Sequence, residues 1–274
     1  MPPPQEERPK SFQQYVGLIE KYQTKAEVSL WYRGCGKASH TLLPGLYRHR
    51  AIKKPDDLAR IEQELMLRFR QRSIPFVTRP LGDDWDTLFL MQHYGIPTRL
   101  LDWTENPFIG LFFAVMNNNF VAKGKGTART LVFKEDAAVW LLDPIKWNHH
   151  ALRHQSYKRG VPFTNDEVLK PYKPPIEKQD DRNAPVAING AHNSSRIVAQ
   201  RGAFTIFSNN IHPMEKVFEQ DAFPPESLVK IILEKSLVTQ LRHSILNHGV
   251  TESVVFPDLD GLAKEMKREF AFED

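Results

Sequence analysis

The sequence predicts an α+β domain. Strand-like and helix-like stretches alternate without the regular βαβ period that builds a doubly wound parallel sheet. Neither a Gly-x-Gly-x-x-Gly after a strand nor a Gly-x-x-x-x-Gly-Lys-Ser/Thr loop occurs, so both common nucleotide folds lose support. With 274 residues, 41% of them hydrophobic, the chain sits near the upper size of one hydrophobic core. The organisation expected is a loose, proline-rich arm over residues 1–10 and one domain over residues 11–274.

Taken in order, Ser11 caps a helix whose apolar positions Phe12, Tyr15, Val16, Ile19 and Tyr22 keep helical spacing. Val28 to Tyr32 reads as a strand that stops at Gly34 and Gly36. Pro55-Asp56-Asp57 opens a helix with Leu58, Ile61, Leu65 and Phe69 on one stripe. Asp83 to Tyr94 is a second helix, ended by Gly95 in a left-handed cap and by Pro97. Thr98 to Trp103 is a short strand, and Asn106-Pro107 supplies the N-cap and first position of a helix to Met116. That helix is apolar nearly all round, which places it between other elements.

A Gly/Lys turn over Ala122 to Thr130 separates this helix from strands at Thr130 to Phe133 and Ala138 to Leu142. Periodicity is poor over 145–193, which reads as an irregular insertion or flap, with a polar excursion from Glu177 to Asn183. Strands follow at Arg196 to Phe207 and Leu228 to Leu233, then a helix at Ser236 to Asn247 and a short strand at Glu252 to Phe256. The closing helix, Asp258 to Phe270, carries Leu259, Leu262, Met266 and Phe270 as the stripe expected to face inward.

Composition excludes more than it selects. No run approaches the roughly 18 apolar residues of a membrane helix. The formal net charge of +4 permits an anionic ligand without identifying a nucleic-acid binder. One cysteine, Cys35, allows neither an internal disulfide nor a Cys-rich zinc site, and Met1-Pro2-Pro3-Pro4 has no signal-peptide pattern, so a cytoplasmic location is expected. Asp143, His149, His150 and His154 lack a His-Glu-x-x-His pattern, and no metal is assigned.

Two stretches concentrate polar chemistry among apolar residues. In Trp31-Tyr32-Arg33-Gly34, an arginine at a strand end beside glycine presents a rigid fork of donors that suits a phosphate, a pyrophosphate or a carboxylate. From Gln92 to Thr104, His93, Tyr94, Thr98, Arg99, Asp102 and Thr104 sit among Leu, Ile and Trp and need partners if buried. The bland alternatives are a surface ion pair for Arg33, capping or mutual pairing for Arg99 and Asp102, and a satisfied core imidazole for His93.

These two blocks, with Ala199 to Thr205 and Val255 to Leu262, resemble the FRG-domain family, named for its Phe/Tyr-Arg-Gly motif; the resemblance runs from about Leu30 to Leu262. The family recurs in bacterial and phage-associated proteins, including conflict and defence settings. A further similarity is to NAD-dependent ADP-ribosyltransferases of the Arg-Ser-Glu type. It implies a mixed or antiparallel split sheet flanked by helices, with NAD as substrate for transfer or hydrolysis at the nicotinamide ribose.

Carried over residue by residue, the resemblance implies that Arg33 holds the NAD phosphates or ribose and that Thr98 or Thr104 shapes the nicotinamide pocket; Tyr32, Gly34, His93, Tyr94 and Arg99 complete the expected cofactor-binding set. The late glutamate position falls on Gln200. An amide brings no negative charge to an oxocarbenium-like transition state. Asp102 supplies the missing carboxylate if the fold brings it near Gln200; Glu219 and Glu226, in loop-like sequence, are the less attractive alternatives, and the sequence does not choose between them. The catalytic set implied is therefore Arg33, Asp102 and Gln200. Gln200-Arg201-Gly202 also fits a glycine bulge within a strand.

The competing expectation is a non-catalytic module that recognises a nucleic acid or a protein. From Leu46 to Pro80 there are nine basic residues against four acidic ones, while Glu215 to Asp274 reverses the balance with twelve acids and seven bases. Tyr47, Phe69 and Phe76 are near enough in sequence to stack bases, although helical spacing makes them core candidates too.

Overall fold

Side chains alternate across strand β2 (Trp31–Cys35): Trp31 and Cys35 enter one apolar core and Tyr32 enters another. The strand is thus buried on both faces and lies inside a sheet. In the computed structural model, residues 2–77, 80–123, 130–176, 183–190 and 195–272 are described. The flanking strands are β1 (Gln5–Glu7), β3 (Leu100–Thr104), β6 (Ala137–Leu142), β7 (Val186–Ile188), β8 (Gly202–Ile206) and β9 (Leu228–Leu233). They form one mixed sheet in the order β1-β9-β6-β2-β3-β8-β7, with β1 parallel to β9 and the other neighbours antiparallel. A separate hairpin joins β4 (Phe120–Lys123) to β5 (Thr130–Phe133).

The sheet nearly parts in the middle. β2 is in register with β6 over five residues, and β3 with β8 over five, yet β2 and β3 share one pair, Tyr32 with Thr104. Helices α1 (Phe12–Gln23), α4 (Pro107–Met116) and α8 (Lys235–Asn247) cover one face; α2 (Pro55–Ser73), α3 (Asp84–His93), α5 (Pro144–Ala151) and α7 (Met214–Asp221) serve the other core. Pro107 starts α4 under an Asn106 cap, and Ile109, Leu111, Phe112, Ala114 and Val115 are buried. At about 1.5–3 kcal/mol for each large apolar side chain, that helix is a main source of core energy. It lies so close to β2 that a Cβ on Gly34 would stand 2.0 Å from the Gly110 carbonyl oxygen.

Several expectations need correction. The supposed arm contains β1, held by its ladder to β9 and by Glu7, whose carboxylate receives Lys21 Nζ and the Tyr22 hydroxyl at 2.7 Å each. Three residues carry no readable period, so only the partner strand defines them. Much of the stretch over 145–193 packs into the core, although residues 153–156 and 158–160 are exposed. Trp147, Leu169 and Tyr172 are buried, and β7 forms a sheet edge. Its order comes from side chains bonding to backbone: Asn148 exchanges two hydrogen bonds with Ala187, Trp147 Nε1 donates to Pro185 O at 2.6 Å, and the Tyr172 hydroxyl donates to Ala184 O. Residues 177–182 of the polar excursion and 124–129 of the Gly/Lys turn lie outside the described residues.

Arg196 to Phe207 is no continuous strand. Helix α6 (Ser195–Ala199) comes first, and Arg201 turns the chain with φ of 45° before β8 begins. Glu252 to Phe256 is likewise helical, as α9 (Glu252–Val255). The final helix, α10 (Leu259–Glu269), has the predicted span with the opposite orientation. Gly261 meets the Phe256 carbonyl, and Arg268 pairs with buried Glu252 at 2.9 Å. Leu259, Leu262, Met266 and Phe270 are left exposed, because a glycine contact and an ion pair chose the docking face.

Candidate functional site

A cleft opens where β2 and β3 diverge. Its inner chamber, about 240 Å³, is lined by Arg33 and Gly34 of β2, Asp102 and Thr104 of β3, Gln92 and His93 of α3, Phe113 and Asn117 at the end of α4, and Arg196, Gln200 and Gly202 around the α6–β8 turn. An outer chamber of about 630 Å³ shares Arg33, Gln92, His93, Asp102 and Arg196 and adds Arg48, Tyr94 and Thr98. The outer chamber by itself, and the two together, are on the scale of small-molecule sites. Residues from positions 33, 102 and 200 thus line one space.

Arg33 stands at the junction of the chambers. Its Nη1 donates to the Asp102 backbone carbonyl at 2.5 Å and lies 4.0 Å from the Asp102 carboxylate. The guanidinium therefore bridges the gap where ladder bonds stop. Its side chain is 22% exposed, open enough for a ligand to reach and buried enough to weaken competition from water. On the same face, Arg33 is in register with Trp140, and Lys230 Nζ sits 4.9 Å from the Trp140 ring.

The Asp102 carboxylate is held by a chain with a fixed direction. The Leu100 amide donates to Thr98 Oγ1 at 3.0 Å, the Thr98 hydroxyl donates to Gln92 Oε1, and Gln92 Nε2 donates to Asp102 Oδ2 at 2.7 Å. The Thr98 hydroxyl accepts from the Leu100 amide and donates to the Gln92 carbonyl, and the Gln92 NH₂ is left facing the Asp102 carboxylate, which accepts from it. Buried Thr98 acts on the cleft through Gln92.

Thr104 is similarly committed. Its hydroxyl donates to Gln200 O at 2.5 Å and accepts from the Asn106 amide, tying β3 to the α6–β8 turn and to the start of α4. The single donor of each threonine is spent inside the protein. Gln200 lines the inner chamber from the turn after α6, while its Nε2 donates to Val255 O at 3.1 Å. Burial, and then the Arg196 charge, lowers the His93 imidazole below its ordinary value, so its neutral form is favoured near pH 7. Tyr32 forms a wall, and burial pushes its phenol up to about 12.

Arg99 is the expected site residue that the structure removes. It is fully buried and lines neither chamber. Nε pairs with Glu62 at 2.7 Å, Nη1 donates to Phe207 O and Nη2 to Tyr172 O, so all sides of the guanidinium face protein. Gly34 lines the cleft, but its missing Cβ is required by the approach of α4. Tyr94 and Thr98 line only the outer chamber.

Other candidates lie elsewhere. Glu219 pairs with Lys216 and Glu226 with Lys25. The buried Cys35 thiol is pushed up by desolvation, an environment that suits packing better than nucleophilic attack. Among the described residues no group of three or more His, Cys, Asp or Glu side chains is placed to hold a metal, and no helix is long and apolar enough to cross a membrane. Tyr47 is buried and Phe76 is 85% exposed, so the aromatics of the basic stretch form no common platform.

Arg48, Gln92 and Arg196 were not picked out as site residues from the sequence. Gln92 stood within the polar block beside His93, and its spacing from Thr98 and Asp102 was the available signal. Arg48 and Arg196 carry no local pattern. No curated protein and no solved structure matches the chain. A model of the FRG domain matches residues 28–122, a span that takes in Arg33, Arg48, Gln92, His93 and Asp102. The blocks around Gln200 and after Val255 fall beyond it. With the Arg33-Gly34 strand and the Gln92 to Trp103 block inside the matched span, the chain contains an FRG domain.

Proposed function

We propose that the cleft binds a pyrophosphate-containing nucleotide, NAD in the first instance, and that the protein is an ADP-ribosyltransferase-like enzyme acting at the nicotinamide ribose. The observation that carries this reading is the meeting of Arg33, Asp102 and Gln200 around one chamber from three distant parts of the chain. The nearly divided sheet, flanked by helices, is compatible with the split-sheet architecture of such enzymes. Arg33 would hold the pyrophosphate at the chamber junction, leaving the nicotinamide ribose in the inner chamber.

Reaction there breaks the C1′–N bond, and its electron pair leaves with nicotinamide. The cationic ribose faces Asp102, whose carboxylate, oriented by Gln92, supplies the negative charge that Gln200 lacks. Water, or a hydroxyl of an acceptor, then bonds to C1′ and releases its proton. Calorimetric titration of NAD into the wild type and Arg33→Ala tests the first step. The reading predicts heat from the wild type that the variant loses; equal heats, or none from either protein, reject it.

A second reading, a non-catalytic recognition module, is favoured by the Gln200 amide, which is engaged with the Val255 carbonyl and carries no charge. Nucleotide binding without release of nicotinamide would select it.

A further inference from the structure

The outer chamber has more positive charge than its surroundings neutralise. Arg33, Arg48 and Arg196 line it with a single acid, Asp102, which already faces Gln92 and Arg33. Arg48 closes the short helical turn Leu46–Arg48 and is exposed. Arg196 lies over the Phe256 ring, 4.7 Å from its centroid, and its charge reaches His93. Among the described residues, no carboxylate forms an ion pair with Arg48 or Arg196. Two guanidiniums beside one cavity present donors of the kind that suit an anion.

Tyr94 supplies the apolar part. It caps α3, is 70% exposed, and meets the His93 ring nearly edge-on at 4.9 Å. The next residue, Gly95, takes a φ of +75°, and Pro97 follows, so the turn that presents the ring is conformationally restricted. A flat aromatic ring beside unneutralised arginines matches a base joined to a phosphate.

We infer that the outer chamber is a nucleoside monophosphate subsite, with the phosphate on Arg48 and Arg196 and the base against Tyr94. The inference rests on the reading of the cleft as a nucleotide site and assigns this half of it. The same chemistry is offered by the adenylate half of a dinucleotide and by one unit of a single-stranded nucleic acid.

Calorimetry with the full chain separates these sources, using AMP, adenosine, nicotinamide mononucleotide and an eight-nucleotide single-stranded oligonucleotide as probes. AMP is expected to bind more tightly than adenosine. Arg48→Ala should weaken it about tenfold and Tyr94→Ala at least about fivefold, with Arg48→Lys in between. Thermal melting of each variant verifies that it is folded. Dependence on these two residues seen with the oligonucleotide alone supports the subsite and assigns it to a strand. Binding of neither AMP nor the oligonucleotide, or binding that neither substitution alters, overturns the inference. AMP binding that needs Arg48 and Tyr94, in a protein that ignores NAD, would reject the dinucleotide reading and leave the subsite standing. NAD binding that needs Arg33 but tolerates both substitutions, with AMP equally unaffected, would reject the subsite alone.

Discussion

Arg33 and Arg99 have the same side chain and occupy opposite situations. Arg99 precedes β3, is fully buried, and spends its donors on Glu62 and on backbone carbonyls of Phe207 and Tyr172. Glu62 in turn accepts from the Ile176 amide at 2.6 Å, so one ion pair joins α2, β3, the chain after β8 and the segment before β7. Arg33 touches the Asp102 carbonyl and leaves donors facing a cavity. Burial makes the first arginine a fastener, whereas partial exposure at a gap in the sheet leaves the second available. An arginine within a polar motif is informative about ligands only after its own partners are known.

The contrast can be broken most severely at Arg99. Arg99→Ala leaves Glu62 buried without its counter-ion and should cost about 3–5 kcal/mol, measured as a lower midpoint in urea. Substituting both partners with apolar residues, Arg99→Met with Glu62→Leu, should recover much of that loss if the penalty is the stranded charge. Gly34→Ala comes next, because its Cβ would collide with the Gly110 carbonyl, backbone that cannot rotate away. Overpacking of this kind costs about 1–3 kcal/mol, and the cleft should change shape with it. A Gly34→Ala protein as stable as wild type would refute the packing role assigned to this glycine.

Arg33→Ala should remain within about 1 kcal/mol of wild type in urea while NAD binding is lost. Large destabilisation would make Arg33 a fastener like Arg99. A subtler test is Thr98→Val, which keeps the shape but removes the hydroxyl that orients Gln92. The Gln92 amide can then reverse, so the Gln92 side-chain NH₂ resonances in ¹⁵N–¹H NMR should move and NAD binding should weaken. Unchanged side-chain resonances would count against the chain.

The smallest effect expected is pH dependence through His93. Its folded value is lowered, so the unfolded state binds the proton more readily, and the contribution to stability is present above pH 6.5 and lost as pH falls through the range below. An anion in the cleft favours the imidazolium, so AMP affinity should rise as pH falls over the same range. His93→Gln should flatten both trends; trends that persist would place their source elsewhere.

Local signals in the sequence were enough for the long elements. Asn106-Pro107 marked the start of α4, Asp83 to Tyr94 a helix matching α3, and Leu228 to Leu233 a strand, each within a residue of its bounds. Short elements failed where something other than a local period defined them: β1 through its distant partner β9, α6 through the left-handed turn at Arg201, and α9 through its packing against α10. The same limit applied to the cleft. Arg33, His93 and Asp102 stood in polar blocks that could be read locally, whereas Arg48 and Arg196 became site residues only because chain far away brought them to one cavity.

By itself the sequence determined where the long helices and most of the central strands lie, that their alternation makes an α+β arrangement, and which polar residues sit among apolar ones. Those properties depend on neighbours within a turn or two of chain. The tertiary structure alone decided that β2 and β3 part after one residue pair, that Arg99 is enclosed while Arg33 is open, and that α10 turns its apolar stripe outward. Each of these follows from contacts outside the local period, 5 residues away for Gly261 with Phe256 and 69 for Arg33 with Asp102, where burial and hydrogen-bond satisfaction are balanced beyond a single element.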